Sequence, residues 1–325
     1  MPLPDNPAYH AMLGPDDIIN LSASMTAPLI LVTPCACMRG VFVSNAYLQG
    51  AKYGEPPAMF SAAAEKLGMG LDLMTNRDLM VPAGDPDALR RIVGEPDFIV
   101  FWDKDVRCAA NLELCGLRTF NQSECIRICD DKWLTHLALK REGVPTIDTV
   151  SCPLSYSDYP DTGFLEDAID SFGFPMVVKD NFGSFGMQVR LARTAEELKR
   201  MFEGPYVPRI LQRYIECGGS DVRVEVVGGE AVAAMERRAA PGDFRSNATL
   251  GGRIRGREPT EEESDLAIAA CDAVGADFAG VDIVRSDRGC LICEVNSSAH
   301  LRNLLDCTGI DGSEAVLGYI RDEVA

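Results

Sequence analysis

The segment GVDIVRSDRGCLICEVN, from Gly280 to Asn296, constrains this chain most, because its geometry can be worked out from its letters. Two apolar runs flank Asp287-Arg288-Gly289, which reads as a three-residue hairpin loop with glycine in the left-handed position such loops favour. That register sets Asp282 opposite Glu294 and puts Asn296 on the same face, while Val281, Ile283, Cys293 and Val295 point the other way into a core. Two directly opposed carboxylates cost a few tenths to about 1 kcal/mol, and more when partly buried. A divalent cation between them reverses that sign. Two acids and an amide form an all-oxygen set that suits Mg2+, with water or phosphate oxygens in its other positions. The alternative is a solvated acidic face on an edge hairpin, and a two-residue loop would put the acids on opposite faces.

Lysines and glycines supply a second set of parts. Lys179 ends the apolar run Pro175-Met-Val-Val-Lys179, and Gly183-Ser184-Phe185-Gly186 follows almost at once. Backbone N–H groups of a glycine-bearing turn beside a fixed ammonium can meet phosphate oxygens, and an ordinary β-hairpin is the alternative. The P-loop pattern G-x-x-x-x-G-K-[ST] is absent, and no G-x-G-x-x-G follows a strand, which weakens a dinucleotide reading. Lys132 falls inside a helix expected from Ser123, where a lysine is usually a solvated surface residue. Arg223, Arg237, Arg238, Arg245, Arg253 and Arg255 form a basic cluster suited to bidentate recognition of carboxylate or phosphate. Surface salt bridges are the competing account and the preferred one for Arg238 and Arg255.

The chain has 325 residues, room for two or three domains, with 31 basic against 49 acidic residues and a net charge of -18. Such a field repels nucleic acid and anionic membranes, so neither is an expected partner. The longest uncharged window, Ile18 to Met38, is broken by Asn20, Ser22, Ser24, Pro28 and Pro34 and follows no basic region, which argues against a membrane span or a leader. Twelve cysteines scattered through helices and strands read as reduced thiols of a cytoplasmic protein. They support neither catalysis nor zinc: Cys290 and Cys293 fall on opposite faces of one strand, and Cys35-Ala-Cys37 has no partner pair. Strands are expected at Leu29 to Thr33, Leu71 to Met74 and Phe98 to Trp102, with a helix at Met59 to Leu67, so the first part is a parallel α/β domain. One long helix is expected from Ser123 to Gly143. Further strands follow at Arg209 to Ile215, Val222 to Val227 and Ala231 to Arg237, the last two joined across Gly228-Gly229. Capping boxes at Thr194 and Thr260 start helices, and a closing helix begins near Ser313. The boundaries are a 1–27 extension and segments 28–119, 120–208 and 209–325.

In order, the pieces from Asn121 to Asp311 (FNQSE, DDKWLT, GVPT, GFPMVVKD, GSFG, LQRYI, GGSDVRV, RRAAPGDFRSN, GGR, AGVDI, CEVNSS) resemble the ATP-grasp ligases, most closely the RimK-type group that includes α-L-glutamate ligases. The resemblance implies an α/β (α+β) ATP-grasp fold, in which a pre-ATP-grasp domain precedes two α+β subdomains clasping ATP. By motif, Lys132 and Lys179 would contact ATP phosphates under a flexible loop of Gly183, Ser184, Phe185 and Gly186. Gln212, Tyr214 and Ile215 would line the adenine pocket, with Asp221 near the ribose. Asp282, Glu294 and Asn296 would hold two Mg2+ ions, or Mn2+ in their place. Arg223, Arg237, Arg245 and Asn247 would face the reacting carboxylate and acyl phosphate. The implied reaction joins a small-molecule or peptide carboxylate to an amino-acid amine, L-glutamate being one candidate, and relatives assemble as dimers or tetramers. An ATP-binding regulatory or scaffold protein without turnover is the rival reading. One departure is Ser298-Ala299-His300, where relatives more often carry proline or glycine; His300 reads as structural, with substrate contact as the alternative. His10 and His136 carry no site signal.

Overall fold

The computed structural model describes residues 38–325 apart from 49, 160, 184–185, 247–250 and 288. The extension over 1–27 and the strand expected at Leu29 to Thr33 lie outside the described residues. The first sheet is parallel: β1 (Arg39–Ser44), α1 (Ala51–Leu67), β2 (Gly70–Thr75), α2 (Pro86–Val93), β3 (Phe98–Phe101), α3 (Val106–Leu114) and β4 (Thr119–Phe120) alternate, with strand order β2-β1-β3-β4. The middle of β1 and all of β3 are buried, as a sheet covered on both faces by crossover helices requires. Leu89, Val93, Ala109 and Leu112 of α2 and α3 cover one face; Met59 and Phe60 of α1 cover the other.

Two helices, α4 (Ser123–Asp130) and α5 (Lys132–Arg141), replace the single long one expected. Asp131 takes φ −92° and ψ 104°, and its carboxylate accepts from the Leu134 N–H at 3.0 Å, so it ends one helix and caps the next. Lys132 is therefore the first residue of α5 rather than a mid-helix surface lysine. Gln122 precedes α4 without a side-chain cap bond, and the N–H and hydroxyl of Ser123 both donate to Glu113.

The second sheet is antiparallel. It comprises β5 (Thr149–Ser151), β6 (Met176–Asp180), β7 (Val189–Ala192) and β8 (Arg209–Arg213) in the order β5-β8-β6-β7, backed by α6 (Phe164–Phe172) and α7 (Ala195–Arg200). Met176, Val178 and Leu211 pack under those helices with Leu165 and Leu198. Strand alternation then sends Val177, Lys179 and Gln212 to the opposite face. β8 stops at Arg213, two residues short of expectation, and Tyr214 and Ile215 leave the sheet to line the cleft.

The third sheet, also antiparallel, contains β9 (Ser220–Val227), β10 (Glu230–Arg238), β11 (Arg253–Arg257), β12 (Phe278–Ser286) and β13 (Gly289–Asn296), ordered β11-β10-β9-β12-β13. Gly228 and Gly229, at φ 57° and 78°, form the two-residue turn from β9 to β10 that their positive φ values suit. α8 (Glu261–Val274) carries the expected capping box at Thr260 and packs Leu266, Ala267 and Ala270 against Val224, Val281 and Ile283. After α9 (Leu301–Thr308), α10 (Gly312–Val324) places Val316, Leu317 and Ile320 in one core with Phe42, Phe60 and Trp102. The last helix thus completes the first sheet.

The β12–β13 hairpin departs from expectation twice, and the departures cancel. Ser286 pairs with Gly289, so the paired ends are one residue closer in sequence than the expected three-residue loop allows. Alone, that would separate the two acids onto opposite faces. A bulge restores the register: Asp282 pairs with Glu294 and Ile283 with Ile292, leaving Cys293 unopposed. Asp282 and Glu294 do face each other. Cys293 is turned out of the core position expected for it, which the fully buried Ile292 fills, and lines the cleft between the sheets instead.

Candidate active site

The faces of the second and third sheets that their helices leave uncovered bound a cleft of about 150 Å³. Lys132, Lys179, Gly183, Gly186, Gln212, Tyr214, Ile215, Asp221, Arg237, Arg245, Asp282 and Glu294 all line it. Beyond Arg237, Asp282 and Glu294, which form a shared wall, lies a second cavity of about 630 Å³ that also takes in Arg223 and Asn296. Ser184, Phe185 and Asn247 fall outside the described residues.

Charge in the wall is tightly paired. Arg223 makes a bidentate contact with Asp282, Nε to Oδ1 at 2.7 Å and the terminal nitrogen to Oδ2 at 2.9 Å. Arg237 bridges Asp282 at 2.9 Å and Asp221 at 2.6 Å. Burial works against the Asp282 charge, yet the two guanidinium groups outweigh it and hold the carboxyl below its ordinary pKa. Glu294 is likewise held low, against burial, chiefly by Lys132, whose Nζ lies 3.5 Å away. Lys179 is buried, with Nζ 3.5 Å from the Cys293 sulfur; burial opposes its charge, and Cys293, Glu294 and Asp282 raise its pKa.

The glycine turn is held down from both sides. Lys132 Nζ donates to the Gly183 carbonyl at 3.0 Å, and Arg245, itself fixed by Asp243 at 2.8 Å, donates to the Gly186 carbonyl at 3.0 Å. A Cβ on Gly183, at φ 140°, would sit 2.6 Å from Gln188 Oε1. Lys132 and Arg245 thus hold Gly183 and Gly186 at the edge of the cleft.

These observations can be set against known proteins. Residues 129–320 match the RimK-like ATP-grasp domain. The chain belongs to that family. It is 38% identical over 218 residues to a probable alpha-L-glutamate ligase of Xanthomonas euvesicatoria pv. vesicatoria, covering 66% of this chain and 72% of that one. A probable alpha-L-glutamate ligase 2 of Hahella chejuensis is 39% identical over 217 residues, with 65% and 69% covered. Among solved structures, D-alanine–D-alanine ligase from Bacillus anthracis complexed with ATP superposes with a TM-score of 0.66 at 20% identity, covering 89% of this chain and 97% of that one. A RimK domain ATP-grasp protein from Sphaerobacter thermophilus gives 0.63 at 18% identity, with 86% and 98% covered. At such identities these two carry the fold, which is the mixed α/β ATP-grasp architecture. The protein is an ATP-grasp ligase, of the ADP-forming carbon–nitrogen class. Among the described residues no helix is long and apolar enough to cross a membrane.

ATP-grasp ligases use ATP with a divalent metal ion. The donor set here fits such an ion in kind: Asp282 and Glu294 face each other, and both line the second cavity with Asn296, whose amide nitrogen donates to the Gly280 carbonyl at 3.3 Å. Arg223 and Arg237 engage Asp282 in this structure, so its cation-binding oxygens already carry positive partners.

Sequence reasoning missed His136, which supports the ATP-grasp cleft from behind. Thr146 donates its hydroxyl proton to the Ile292 carbonyl at 3.0 Å, so His136 Nδ1, 2.7 Å from that hydroxyl, carries the ring proton. Nε2 then accepts from the Gln212 amide at 3.1 Å, and the same amide donates to Thr149 at 2.9 Å. Gln212 thus lines the cleft with its amide nitrogen engaged elsewhere. The network ties α5, which begins at Lys132, to β8 and β13. A clue was present: His136 follows Lys132 by one helical turn.

Proposed function

We propose that this protein is a carboxylate–amine ligase: a substrate carboxylate attacks the γ-phosphate of ATP, and an amine captures the resulting acyl phosphate, giving an amide, ADP and phosphate. The observation that carries this reading is the shared wall of Arg237, Asp282 and Glu294, where a cation-lined cleft meets a larger cavity. Phosphoryl transfer needs a nucleotide on one side of such a wall and an acceptor on the other.

Lys132 and Lys179 bind the phosphates, Gln212, Tyr214 and Ile215 line the pocket for the base, and Asp221 lies near the ribose, with Gly183 to Gly186 excluding water from the acyl phosphate. Arg223, Arg237 and Arg245 neutralise the carboxylate and the acyl phosphate, which Asn247 also faces. Two Mg2+ ions, for which Asp282, Glu294 and Asn296 offer hard oxygen donors, would screen phosphate charge when bound. No side-chain nucleophile is required. Segments 28–119, 120–208 and 209–325 serve as the pre-ATP-grasp domain and the two clasping subdomains, with α10 returning to the first. The relatives' names favour L-glutamate as the amine.

ATP-dependent ADP release with Mg2+ across a panel of carboxylic acids, with L-glutamate among the amines and products followed by mass, tests this. Amide formation with one pair is expected, abolished by D282A and E294A. Failure to bind Mg-ATP would sink the reading.

A further inference from the structure

The larger cavity is lined by two groups that phosphoryl transfer leaves unused, the buried Asp103 and the partly buried His300, and both offer acceptors. Asp103, which follows β3, is 7% exposed. Its oxygens accept from the Asn45 side-chain amide at 3.2 and 3.0 Å and from the Lys104 backbone N–H at 2.7 Å. Among the described residues no cation pairs with it: the Lys104 ammonium goes to Asp130 at 2.7 Å, and Arg223 and Arg237 go to Asp282. A buried carboxylate without a counter-charge is costly even with neutral donors, and burial pushes the Asp103 pKa up.

His300 is the second group. Its Nε2 faces two acceptors, Glu55 Oε2 at 2.9 Å and the Lys52 carbonyl at 3.3 Å, so Nε2 carries the ring proton and Nδ1 is left an acceptor. Nδ1 is buried without a hydrogen-bond partner among the described residues. A carboxylate, which only accepts, could satisfy neither group. A primary ammonium brings three N–H donors and a positive charge. Trp102, Pro56 and Pro57 supply apolar walls that strengthen such a contact.

We propose that Asp103 binds the ammonium group of the amine substrate, in an amino-acid subsite that also contains His300. This rests on the ligase reading for what the cavity holds. Asn45 fixes the carboxylate by two of its contacts and leaves further lone pairs for the ligand.

Calorimetry on the full chain loaded with Mg2+ and a non-hydrolysable ATP analogue tests it, with the L-amino acids as probes, each binder paired with its des-amino analogue (glutarate for L-glutamate). At least one amino acid is expected to bind about tenfold or more tighter than its des-amino partner. D103N should weaken the amino acid about 10- to 100-fold and leave the des-amino acid unweakened. Affinity for the ATP analogue reports folding, and N45A, which only loosens the carboxylate, should give a smaller loss in the same direction. The proposal is overturned if either variant folds and retains full discrimination, or if no amino acid binds the wild-type protein. Normal ATP-analogue binding in that case removes this subsite alone, whereas its absence in the wild type removes the ligase reading itself.

Discussion

His136 predicts a pH dependence of stability that can be worked through. Burial first, and then the nearby cations Lys179, Lys140 and Lys132, push its pKa down from 6.5 to about 3. An unfolded chain binds a proton at this imidazole below about pH 6.5, and the native state does not until about pH 3. The unfolded state therefore holds more protons in that window, and stability falls with falling pH. At pH 5.5 the loss is about 1.4 kcal/mol and at pH 5 about 2 kcal/mol, with nothing lost above about pH 7.5. Urea titrations of the wild type and H136N at pH 7.5, 5.5 and 5 isolate the effect, because contributions of other groups cancel in the difference. H136N should be less stable at pH 7.5, having lost the bonds to Thr146 and Gln212, and the gap should narrow by the stated amounts on acidification. An NMR titration should find the ring neutral, with the proton on Nδ1, down to pH 5. A gap that stays constant from pH 7.5 to 5, or a ring that titrates near 6.5, would refute the reasoning.

Three further outcomes follow from other parts of the molecule. E263Q should lower stability by about 2–4 kcal/mol in urea unfolding at pH 7, because fully buried Glu263 bonds Arg257, Arg285 and the Thr260 N–H. Against burial, Arg257, the Thr260 N–H and Arg285 hold the Glu263 pKa down to about 2, so that stabilisation is full above about pH 4.5 and fades toward pH 2; an unchanged midpoint at pH 7 contradicts it. G256A should cost about 1–3 kcal/mol by thermal unfolding, since a Cβ there would lie 2.2 Å from the Cys307 carbonyl oxygen, which is backbone and yields little. K179M should cut ligase kcat/KM about 100-fold or more without lowering the melting temperature, because Glu294 keeps Lys132 and Asp282 keeps both arginines; loss of stability in step with activity would assign Lys179 a structural role.

Much of the site was legible because it rests on short-range patterns. Lys179 follows the apolar run of β6, so alternation alone sends it away from Met176 and Val178. The capping box of Thr260 and Glu263 and the glycine pair between β9 and β10 are readable within four residues. The break at Asp131 was missed because Asp-Asp-Lys fits a helix almost as well as a cap, and packing of Lys132 N–H on the Asn181 carbonyl decided between them. His136 was missed because its partners, Thr146 and Gln212, come from other elements.

By itself the sequence determined the alternating elements and the family to which the chain belongs, whereas Asp282 meets Glu294 only because a bulge offsets a loop one residue shorter than the sequence implied. The tertiary structure decided what those elements do to one another. It turned Cys293 out of the core through a bulge, carried α10 back to the first sheet, and set Arg223 and Arg237 on Asp282 from strands far away in sequence. The physical reason is range. Propensity, capping and strand period act over a few residues, whereas a buried charge is stable only beside partners that the fold brings from a distance.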